Sequence, residues 1–573
     1  MILKALTLEN FNGIREPVRI KFAPLTLLFG PNSSGKSTII KALQLTKTIL
    51  DCPGGDPFDL AARRGLELGS FRDCVNGHDM SKAIRLSFEI DLPRVVIHYD
   101  HEGFFARAEQ LFDELHDKIP AERLAAGIET ALITLSIRYD TATSTAYVSE
   151  CRSSLNGISF GQIEYSPLDE NAKVSFLNFC HPLMINIDPQ YIRLSSGGES
   201  GYDAWLRDAH LDADVSPEEY AGGSSDTALE YFIESNNEAP WEGKAFPFGV
   251  INQKSAIRNL ESRMPLAFRK SLPKWGDDFD SDVIQYQIAC IIISDGFFCP
   301  LASLSDVLNH SVFLGPLRDI PARQRGFQQS AIESDWSNGK AAWDIIVNAN
   351  EDFISDVNAW LSRPDRLDSG YGIDVVKYRE IPLDHPIMKL IASESNISLM
   401  TNNCLADTPV LSRVVLRDKH SGNELSLHDV GVGLSQLLPV VVSALNHESG
   451  SITWEHWVSI EQPELHLHQA IQVKLADLFI SQAKDHKKVF LLETHSEHLM
   501  LRCLRRIKET TEGKIAEPEL KIIPENIAVH FVEPSETGPR IHRIHIDEDG
   551  DFADPWPLGF FPERFKELYG DDL

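Results

Sequence analysis

The residues best suited to chemistry lie in the segment G-P-N-S-S-G-K-S-T at positions 30–38, which fits the pattern G-x-x-x-x-G-K-S/T throughout. Glycines let backbone N–H groups close around phosphate oxygens, while Lys36 reaches the β- and γ-phosphates and the Ser37 hydroxyl binds Mg²⁺. The segment therefore predicts a bound nucleoside triphosphate with Mg²⁺. The predicted contact residues are Gly30, Asn32, Ser33, Ser34, Gly35, Lys36, Ser37 and Thr38.

The elements on both sides of this P-loop (residues 30–38) agree with the prediction. The apolar run at 25–29 predicts a buried strand, and residues 38–43 predict a helix. Strand, loop and helix follow one another in the order that the motif requires. The alternative, a chance match on a turn rich in Gly and Ser, is the weaker interpretation because it does not explain this order.

Two later strands are predicted to end in residues that complete such a site. The segment W-V-S-I-E-Q-P-E at 457–464 is an apolar strand that ends in acids, and Glu461 is predicted to hold Mg²⁺ opposite Ser37. The segment L-L-E-T-H-S at 491–496 ends the next strand, and His495 is predicted to contact the γ-phosphate. A predicted helix at 469–485 supplies the crossover that two parallel strands need.

A third segment, D-V-G-V-G-L-S-Q at 429–436, is predicted to begin a helix with small residues. Helix amino termini bind phosphate through free N–H groups, so this segment is predicted to contact a phosphate supplied from outside this active site. The predicted contacts are Gly431, Gly433, Ser435 and Gln436. The alternative is an ordinary glycine-rich start of a helix.

Together these segments resemble the ABC-type ATPases of the SMC, RecF and OLD kind. In those proteins two heads enclose ATP, one head giving the P-loop and the other the signature helix. The resemblance implies that ATP is the nucleotide and that a second copy of the chain is a partner. It assigns residues 30–38 as Walker A, 457–464 as Walker B, 465–468 as the D-loop, 431–436 as a variant signature, and His495 as the switch histidine.

Four shorter segments, at 314–318, 460–468, 493–499 and 556–561, resemble a bacterial subfamily found in anti-phage defence. Its members include the PtuA component of Septu and retron-associated ATPases. The resemblance covers the first 100 residues and the chain from about residue 312. It implies control of a separately encoded effector, a nuclease.

Two residues depart from the pattern of these relatives, and the first, Glu461 where most of them carry Asp, matters little. Gln462 occupies the position of their usual catalytic glutamate, and an amide cannot accept a proton from the attacking water. We therefore expect slow hydrolysis, with Glu464 or the region of His495 positioning the water. The candidate catalytic residues are Glu461, Gln462, Glu464 and His495.

Charge limits the partners of the chain. Its formal net charge is −30 over 573 residues, so any nucleic-acid contact needs a local basic patch. Arg502, Arg505 and Arg506 could form such a patch at near-helical spacing, although a solvated helix end is the simpler interpretation. No apolar run approaches the roughly 20 residues of a membrane span, which indicates a cytoplasmic protein without membrane contact.

The predicted fold is an α/β, ABC-type (RecA-like) ATPase head with an N-terminal antiparallel β subdomain and an inserted, mostly helical subdomain. We assign residues 1–100 to the N-terminal lobe, 101–311 to the insertion, 312–530 to the C-terminal lobe and 531–573 to a short extension.

Three other functions stay open at this point. The first is a RecF-like repair or recombination ATPase that binds DNA directly, which the negative charge disfavours. The second is an OLD-like nuclease, for which the acids Asp547, Asp549 and Asp551 are suggestive, but the chain after His495 is short for such a domain and predicts a strand-turn-strand instead. The third is a nucleotide-sensing scaffold that hardly hydrolyses ATP, which Gln462 would suit.

Overall fold

In the computed structural model the chain forms two compact units. The first unit comprises Met1–Phe22, Thr38–His310 and Pro534–Ile541, and the second comprises Ala23–Ser37, Ser311–Glu533 and His542–Leu573. The structure describes residues 2–51, 55–66, 68–92, 128–168, 172–178, 181, 183, 296–297, 299–320, 336–381, 383–384, 388, 410–446, 456–485, 488–535 and 538–557.

The first unit is built on a seven-stranded sheet in which neighbouring strands run antiparallel, in the order β2-β1-β4-β5-β6-β7-β8. Its strands, numbered along the whole chain, are β1 (Leu3–Glu9), β2 (Val18–Lys21), β4 (Ile84–Asp91), β5 (Thr130–Asp140), β6 (Thr145–Leu155), β7 (Ile158–Glu164) and β8 (Lys173–Leu177). Strand β4 explains the arrangement, because its alternate residues Ile84, Leu86, Phe88 and Ile90 are buried and the residues between them are half-exposed. This period of two is what a sheet with one covered face requires.

Helices accompany this sheet. They are α1 (Ser37–Asp51), α2 (Pro57–Arg63), α3 (Phe71–Cys74) and α4 (Cys299–Asn309). Helix α1 begins at Ser37, the last residue of the first segment of the second unit. Asp56 caps α2, since its carboxylate accepts hydrogen bonds from the N–H groups of Phe58 and Asp59.

The predicted boundary at residue 100 needs correction. Strands β5 to β8 lie inside the predicted insertion (101–311), yet they continue the N-terminal sheet through the pairing of β4 with β5. The described part of that region is therefore mainly strand, whereas the prediction was mostly helical. The physical reason is that buried and more exposed residues tend to alternate along β5 and β6, which is the period of a strand and not of a helix.

The second unit contains a six-stranded sheet in the order β16-β15-β3-β14-β13-β9. Its strands are β3 (Leu25–Phe29), β9 (Val312–Leu314), β13 (His456–Glu461), β14 (Lys488–Glu493), β15 (Ile527–Glu533) and β16 (Arg540–Ile544). The five strands from β15 to β9 run parallel, so their carboxyl ends meet at one edge. Every residue of β3 and β14 is buried, as expected for strands covered on both faces.

A three-stranded antiparallel sheet and five α-helices complete the described part of the second unit. The strands are β10 (Tyr371–Tyr378), β11 (Leu411–Asp418) and β12 (Glu424–Leu425). The helices are α5 (Lys340–Asn348), α6 (Glu351–Ser362), α7 (Val432–Leu445), α8 (Gln469–Asp485) and α9 (Glu497–Thr511). One apolar core joins these helices to the parallel sheet, with Trp343, Phe479 and Phe490 among its largest members.

The predicted fold class is confirmed as α/β with an antiparallel N-terminal sheet, and α8 has the bounds that the sequence predicts. The predicted extension from residue 531 is a second correction. Phe531 belongs to β15, which pairs with β3 in the centre of the sheet, and Trp556 packs on Phe29 and Phe531. Among the described helices, none is long and apolar enough to cross a membrane.

Candidate nucleotide-binding site

The P-loop follows β3 at the carboxyl edge of the parallel sheet. Gly30 has a φ of 145°, and a Cβ atom there would lie 2.3 Å from the carbonyl oxygen of Val532, so only glycine fits. The side chain of Lys36 folds back over the loop, and its Nζ donates to the carbonyl oxygens of Gly30 at 3.0 Å and Pro31 at 2.8 Å. The backbone of the loop therefore holds its own lysine in place.

The other predicted P-loop residues divide by exposure. Ser34 and Lys36 are buried, Thr38 is buried in the first turn of α1, Gly35 and Ser37 are half-buried, and Asn32 and Ser33 are exposed.

The Ser37 hydroxyl donates a 2.7 Å hydrogen bond to Oε2 of Glu493, and Oε1 of the same carboxylate lies 3.7 Å from Lys36 Nζ. The sequence prediction missed Glu493. A signal was present, because Glu493 ends an apolar strand immediately before the predicted switch histidine, just as Glu461 ends β13. Glu493 therefore belongs to the site.

Glu461 lies beside Glu493 on the neighbouring strand, since the two residues are register partners in the β13–β14 pair. The next residue, Gln462, has a φ of 46°, and its backbone N–H donates to the carbonyl oxygen of Glu493 at 2.7 Å. A positive φ is uncommon for a residue with a side chain, so the chain turns sharply where Walker B is predicted to end. The end of β13 is thus fixed to the end of β14.

Burial and the neighbouring charges shift the pKa of Lys36 in opposite directions. Burial lowers the pKa of Lys36, and the nearby carboxylates of Glu493, Glu464 and Glu461 partly offset this lowering. Three acids therefore lie close enough to act on one lysine, so the folded chain brings Glu461, Glu464 and Glu493 to the P-loop.

Glu464 is buried and lies against the segment that carries the predicted switch histidine, His495. Its carboxylate accepts hydrogen bonds from the Thr494 hydroxyl at 2.9 Å and from the His495 backbone N–H at 2.7 Å. Burial raises the pKa of Glu464, although these hydrogen bonds and the charge of Arg318 oppose the shift. Because each carboxylate oxygen has a partner, Glu464 holds the segment that carries His495.

Besides Arg318 Nε, two polar side-chain atoms at the site are buried without a hydrogen-bond partner among the described residues. They are Ser34 Oγ and His495 Nε2. Burial, and then the charge of Lys36, lowers the pKa of His495, so the imidazole is neutral at pH 7. Buried polar groups are rarely left unpaired, and both atoms could serve a phosphate.

The signature segment (residues 431–436) differs from its prediction in part. Ser435 is fully buried and donates to the carbonyl oxygen of Val432, while Gln436 is buried and bonded to Arg318. These two side chains therefore stabilise their own unit and do not face an outside phosphate.

The two glycines of this segment also differ. A Cβ atom on Gly433 would lie 2.5 Å from the His466 carbonyl oxygen, so this residue packs on the predicted D-loop. Gly431 has nothing within 4 Å of that position and is exposed at the start of α7. Only the first of the predicted signature contacts is open to an outside ligand.

Arg318 joins this segment to the end of β13. Its backbone N–H and carbonyl pair with the Gln436 side chain at 3.1 and 2.6 Å, and its Nη2 donates to the carbonyl oxygens of Glu461 at 2.7 Å and Gln462 at 3.3 Å. Burial lowers the pKa of Arg318 to about 10, which leaves it charged at pH 7. The residue is a structural connection inside the site.

The predicted basic patch is mostly neutralised. Arg502 and Arg506 both donate to the buried carboxylate of Asp477, at distances between 2.6 and 3.1 Å. The more exposed Arg505 pairs with Glu509 at 2.6 Å. Arg502 and Arg506 therefore fasten α9 to α8, unlike the solvated helix end that was the simpler interpretation, and nucleic-acid binding by this patch stays a prediction.

The acids at 547–551 lie in a tight turn. An antiparallel bridge pairs Ile546 with Phe552, and the Asp547 N–H donates to the Asp551 carbonyl oxygen at 3.0 Å. This is the predicted strand-turn-strand arrangement.

Comparison with protein families gives one match. Residues 1–76 and 333–500 match the family model described as AAA ATPase domain. Over these residues, which make up less than half of the chain, the protein is similar to that family. The match includes the P-loop, the signature segment, Glu461, Glu493 and His495, and thus both halves of the site. No curated protein matches the chain.

Solved structures similar to the chain include three SMC head domains. One is an SmcHead bound to the C-winged helix domain of ScpA, with 10% identity, a TM-score of 0.36 and coverage of 95% of this chain and 98% of that one. A second, from Pyrococcus furiosus and bound to the C-terminal domain of ScpA, has 11% identity, a TM-score of 0.35 and coverage of 95% and 96%. A third, from Thermotoga maritima, has 12% identity, a TM-score of 0.33 and coverage of 95% and 100%.

Proposed function

We propose that the chain binds ATP with Mg²⁺ at the P-loop, hydrolyses it slowly, and uses the bound nucleotide to join two copies of itself. The joined copies control a separately encoded effector, a nuclease of an anti-phage defence system. One observation carries the nucleotide part of the proposal. Lys36 and Ser37 meet the carboxylate of Glu493 at the edge of a parallel sheet, within residues that match an ATPase domain.

ATP fits the groups that this site offers. Ser34 Oγ and His495 Nε2 are buried without partners among the described residues, and phosphate oxygens would accept a hydrogen bond from each. Lys36 is satisfied only by two backbone carbonyls and a distant carboxylate, so it can turn to the β- and γ-phosphates. The amino end of α1 adds its N–H groups and the positive end of its dipole.

Mg²⁺ also fits the site. The Ser37 hydroxyl and the Glu461 carboxylate are the predicted ligands, and hard cations prefer such oxygen atoms. The described residues contain no cluster of three or more acids, histidines or cysteines that could hold a metal alone. This agrees with Mg²⁺, which binds through one or two carboxylates, water and substrate phosphates. When bound, the ion supplies positive charge that stabilises the phosphate oxygens.

Slow hydrolysis follows from the residues that surround the γ-phosphate position. Gln462 offers no base, Glu464 has both carboxylate oxygens in hydrogen bonds, and Glu493 accepts the Ser37 hydroxyl. A general base must be within reach of the proton that it removes and free to take it. The bound nucleotide therefore persists, with His495 and Glu464 ordering the water near it.

The start of α7 supports the dimer. Gly431 is exposed and Val432 is 48% exposed, so the free N–H groups of this 14-residue helix are open to a phosphate from a second copy. ATP can favour a closed dimer only through a higher affinity for the closed state. Contacts to phosphate from both copies would give that difference.

The effector, the defence role and a cytoplasmic location rest on the motif resemblance. Direct DNA binding through the arginine stripe is not favoured, because Arg502 and Arg506 share the buried Asp477 and Arg505 pairs with Glu509.

Equilibrium binding of a fluorescent, non-hydrolysable ATP analogue tests the nucleotide part of the proposal. The unchanged protein should bind it in the presence of Mg²⁺, and Lys36→Ala should lose most of this affinity. Lys41→Ala is the matched control, since Lys41 lies one turn further along α1 and outside the P-loop. Equal binding by Lys36→Ala and the unchanged protein would refute the proposed site.

A further inference from the structure

Glu493 stands at the centre of the groups that the proposed function uses. It is the last residue of β14, the strand between β3, which leads into the P-loop, and β13, which leads to Glu461. Its side chain is 8% exposed and that of Lys36 is 3% exposed, so their interaction takes place away from bulk water. Electrostatic interactions are stronger in such surroundings than at a surface.

The geometry of the Ser37 hydroxyl is informative. Its hydrogen is directed to Glu493 Oε2 at 2.7 Å, because a carboxylate can only accept. Because the hydrogen of the Ser37 hydroxyl points to Glu493, the lone pairs of the Ser37 oxygen point in other directions. Glu493 therefore fixes the Ser37 oxygen in the orientation in which its lone pairs are available to a cation.

The surrounding charge favours such a cation. Glu461 and Glu493 are register partners on adjacent strands, which lie about 4.8 Å apart in a sheet. Carboxylates this close repel each other unless a positive charge lies near them. Lys36 serves this role in part, and a divalent ion bound at Ser37 would add to it.

We propose that Glu493 is a positioning residue for Mg²⁺, orienting the Ser37 hydroxyl toward the ion and balancing the charge of the ion. The inference rests on the proposed function, because it assumes that Mg·ATP binds at the P-loop. It differs from the sequence prediction, which assigned the acidic partner of Ser37 to Glu461 alone.

The test is the Mg²⁺ dependence of nucleotide binding by the full chain. Binding of the fluorescent ATP analogue is measured in EDTA and across a Mg²⁺ titration. Glu493→Gln should raise the Mg²⁺ concentration at half-maximal effect about tenfold, the usual scale for loss of an outer partner of a metal ligand. Its affinity in EDTA should not fall, because no Mg²⁺ is bound there.

Controls separate this role from general damage. Glu424→Gln removes an exposed carboxylate at β12 and should leave the titration unchanged. Glu493→Asp keeps the charge and should recover part of the Mg²⁺ response. A thermal melt without nucleotide identifies any variant that does not fold, and Glu493→Asp then replaces Glu493→Gln in the comparison.

A double variant tests whether Glu493 acts through Ser37. In a Ser37→Ala background, Glu493→Gln should have little further effect on the Mg²⁺ titration, because residues that act as a unit are not additive. A wild-type Mg²⁺ response in Glu493→Gln, or a full tenfold effect in the Ser37→Ala background, would overturn the inference and leave ATP binding intact. No binding of the analogue by the unchanged protein would overturn the proposed function and this inference with it.

Discussion

Gln462 has its backbone held on two sides at the end of β13. Its N–H donates to the Glu493 carbonyl oxygen, and its own carbonyl oxygen accepts from Arg318 Nη2 at 3.3 Å. The position is therefore fixed, and only its side chain lacks the chemistry of a general base. A substitution of Gln462 can therefore change the rate of hydrolysis without moving the backbone of the site.

Replacing Gln462 with glutamate should raise the rate of ATP turnover, since a carboxylate at this fixed position can accept the proton of the attacking water. General-base catalysis contributes about 10²- to 10⁴-fold, so we expect at least a hundredfold increase in steady-state phosphate release. The Lys36→Ala/Gln462→Glu double variant should show no such increase. If Gln462→Glu turns over ATP no faster than the unchanged protein, Gln462 is not what limits hydrolysis.

At the level of single residues, the sequence predicts sites formed by residues that are close together in the chain and misses contacts between residues that are far apart in it. The P-loop residues lie within nine consecutive positions, so one pattern defines them. The contact between Ser37 and Glu493 joins residues 456 positions apart, and only the folded sheet shows which strand lies next to β3. Ser435 and Gln436 were placed in the correct helix, but their direction depends on packing against Arg318.

At the level of elements, close approach explains one of the two glycines of the signature segment, Gly433. Gly433 lies where α7 meets the predicted D-loop, and a Cβ atom would come within 2.5 Å of a backbone oxygen there. Backbone atoms cannot move aside cheaply. The start of α7 is therefore fixed to the segment that follows Walker B.

Gly433→Ala should lower the free energy of unfolding by about 1–3 kcal/mol, the usual cost of forcing extra volume into a packed region. Gly431→Ala is a matched control, because nothing lies within 4 Å of its Cβ position and its φ of −57° suits alanine. Urea denaturation of both variants measures the difference. Equal stability of the two variants would show that the contact with His466 imposes no constraint.

Lys488 fastens the other end of α7. It is 1% exposed at the start of β14, and its Nζ donates to the carbonyl oxygens of Ala444 and Asn446 at the carboxyl end of the helix. Burial lowers the pKa of Lys488 to about 7, from an ordinary value of 10.5. The helix that carries the signature segment is thus held at both ends by buried contacts.

The lowered pKa of Lys488 gives stability a pH dependence. Between about pH 7 and pH 10 the unfolded chain keeps this proton while the folded chain has lost it, so the free energy of unfolding rises with pH, by at most about 1.4 kcal/mol per pH unit. Below about pH 7 the amine is protonated in the folded and the unfolded chain, so the free-energy cost of burying its charge no longer changes with pH. Urea denaturation at pH 7 and pH 9 should show a smaller rise for Lys488→Met than for the unchanged protein.

The matched control for Lys488→Met is Lys521→Met, which removes an exposed lysine of the same unit. Its rise in stability from pH 7 to pH 9 should equal that of the unchanged protein. An unaltered rise in Lys488→Met as well would mean that the buried amine is not the group responsible.

Prediction of elements succeeded where the sequence pattern was strong. Strand β14 and helix α8 were found because a largely apolar strand and a long helix lie between clear breaks. Strands β5 to β8 were assigned to a different domain, since neither pattern nor spacing shows that β5 pairs with β4 across about 40 intervening residues. Pairing partners in a sheet are set by packing, which a single sequence does not contain.

At the level of the whole molecule, charge opposes the proposed dimer. Each chain carries a formal net charge of −30, so two copies repel each other over distances comparable with the Debye length, about 8 Å at physiological salt. Association therefore needs a favourable free energy from specific contacts at the interface. In our account the ATP phosphates, held by the P-loop of one copy and the start of α7 of the other, provide that free energy.

The most direct test of this account is the mass of the full-length protein in solution, measured by light scattering with and without Mg·ATP. We predict the mass of one chain without nucleotide, that of two chains with Mg·ATP, and a single chain under both conditions for Lys36→Ala. A single chain in saturating Mg·ATP for the unchanged protein, or a dimer that forms regardless of nucleotide, would contradict the claim that ATP joins two copies.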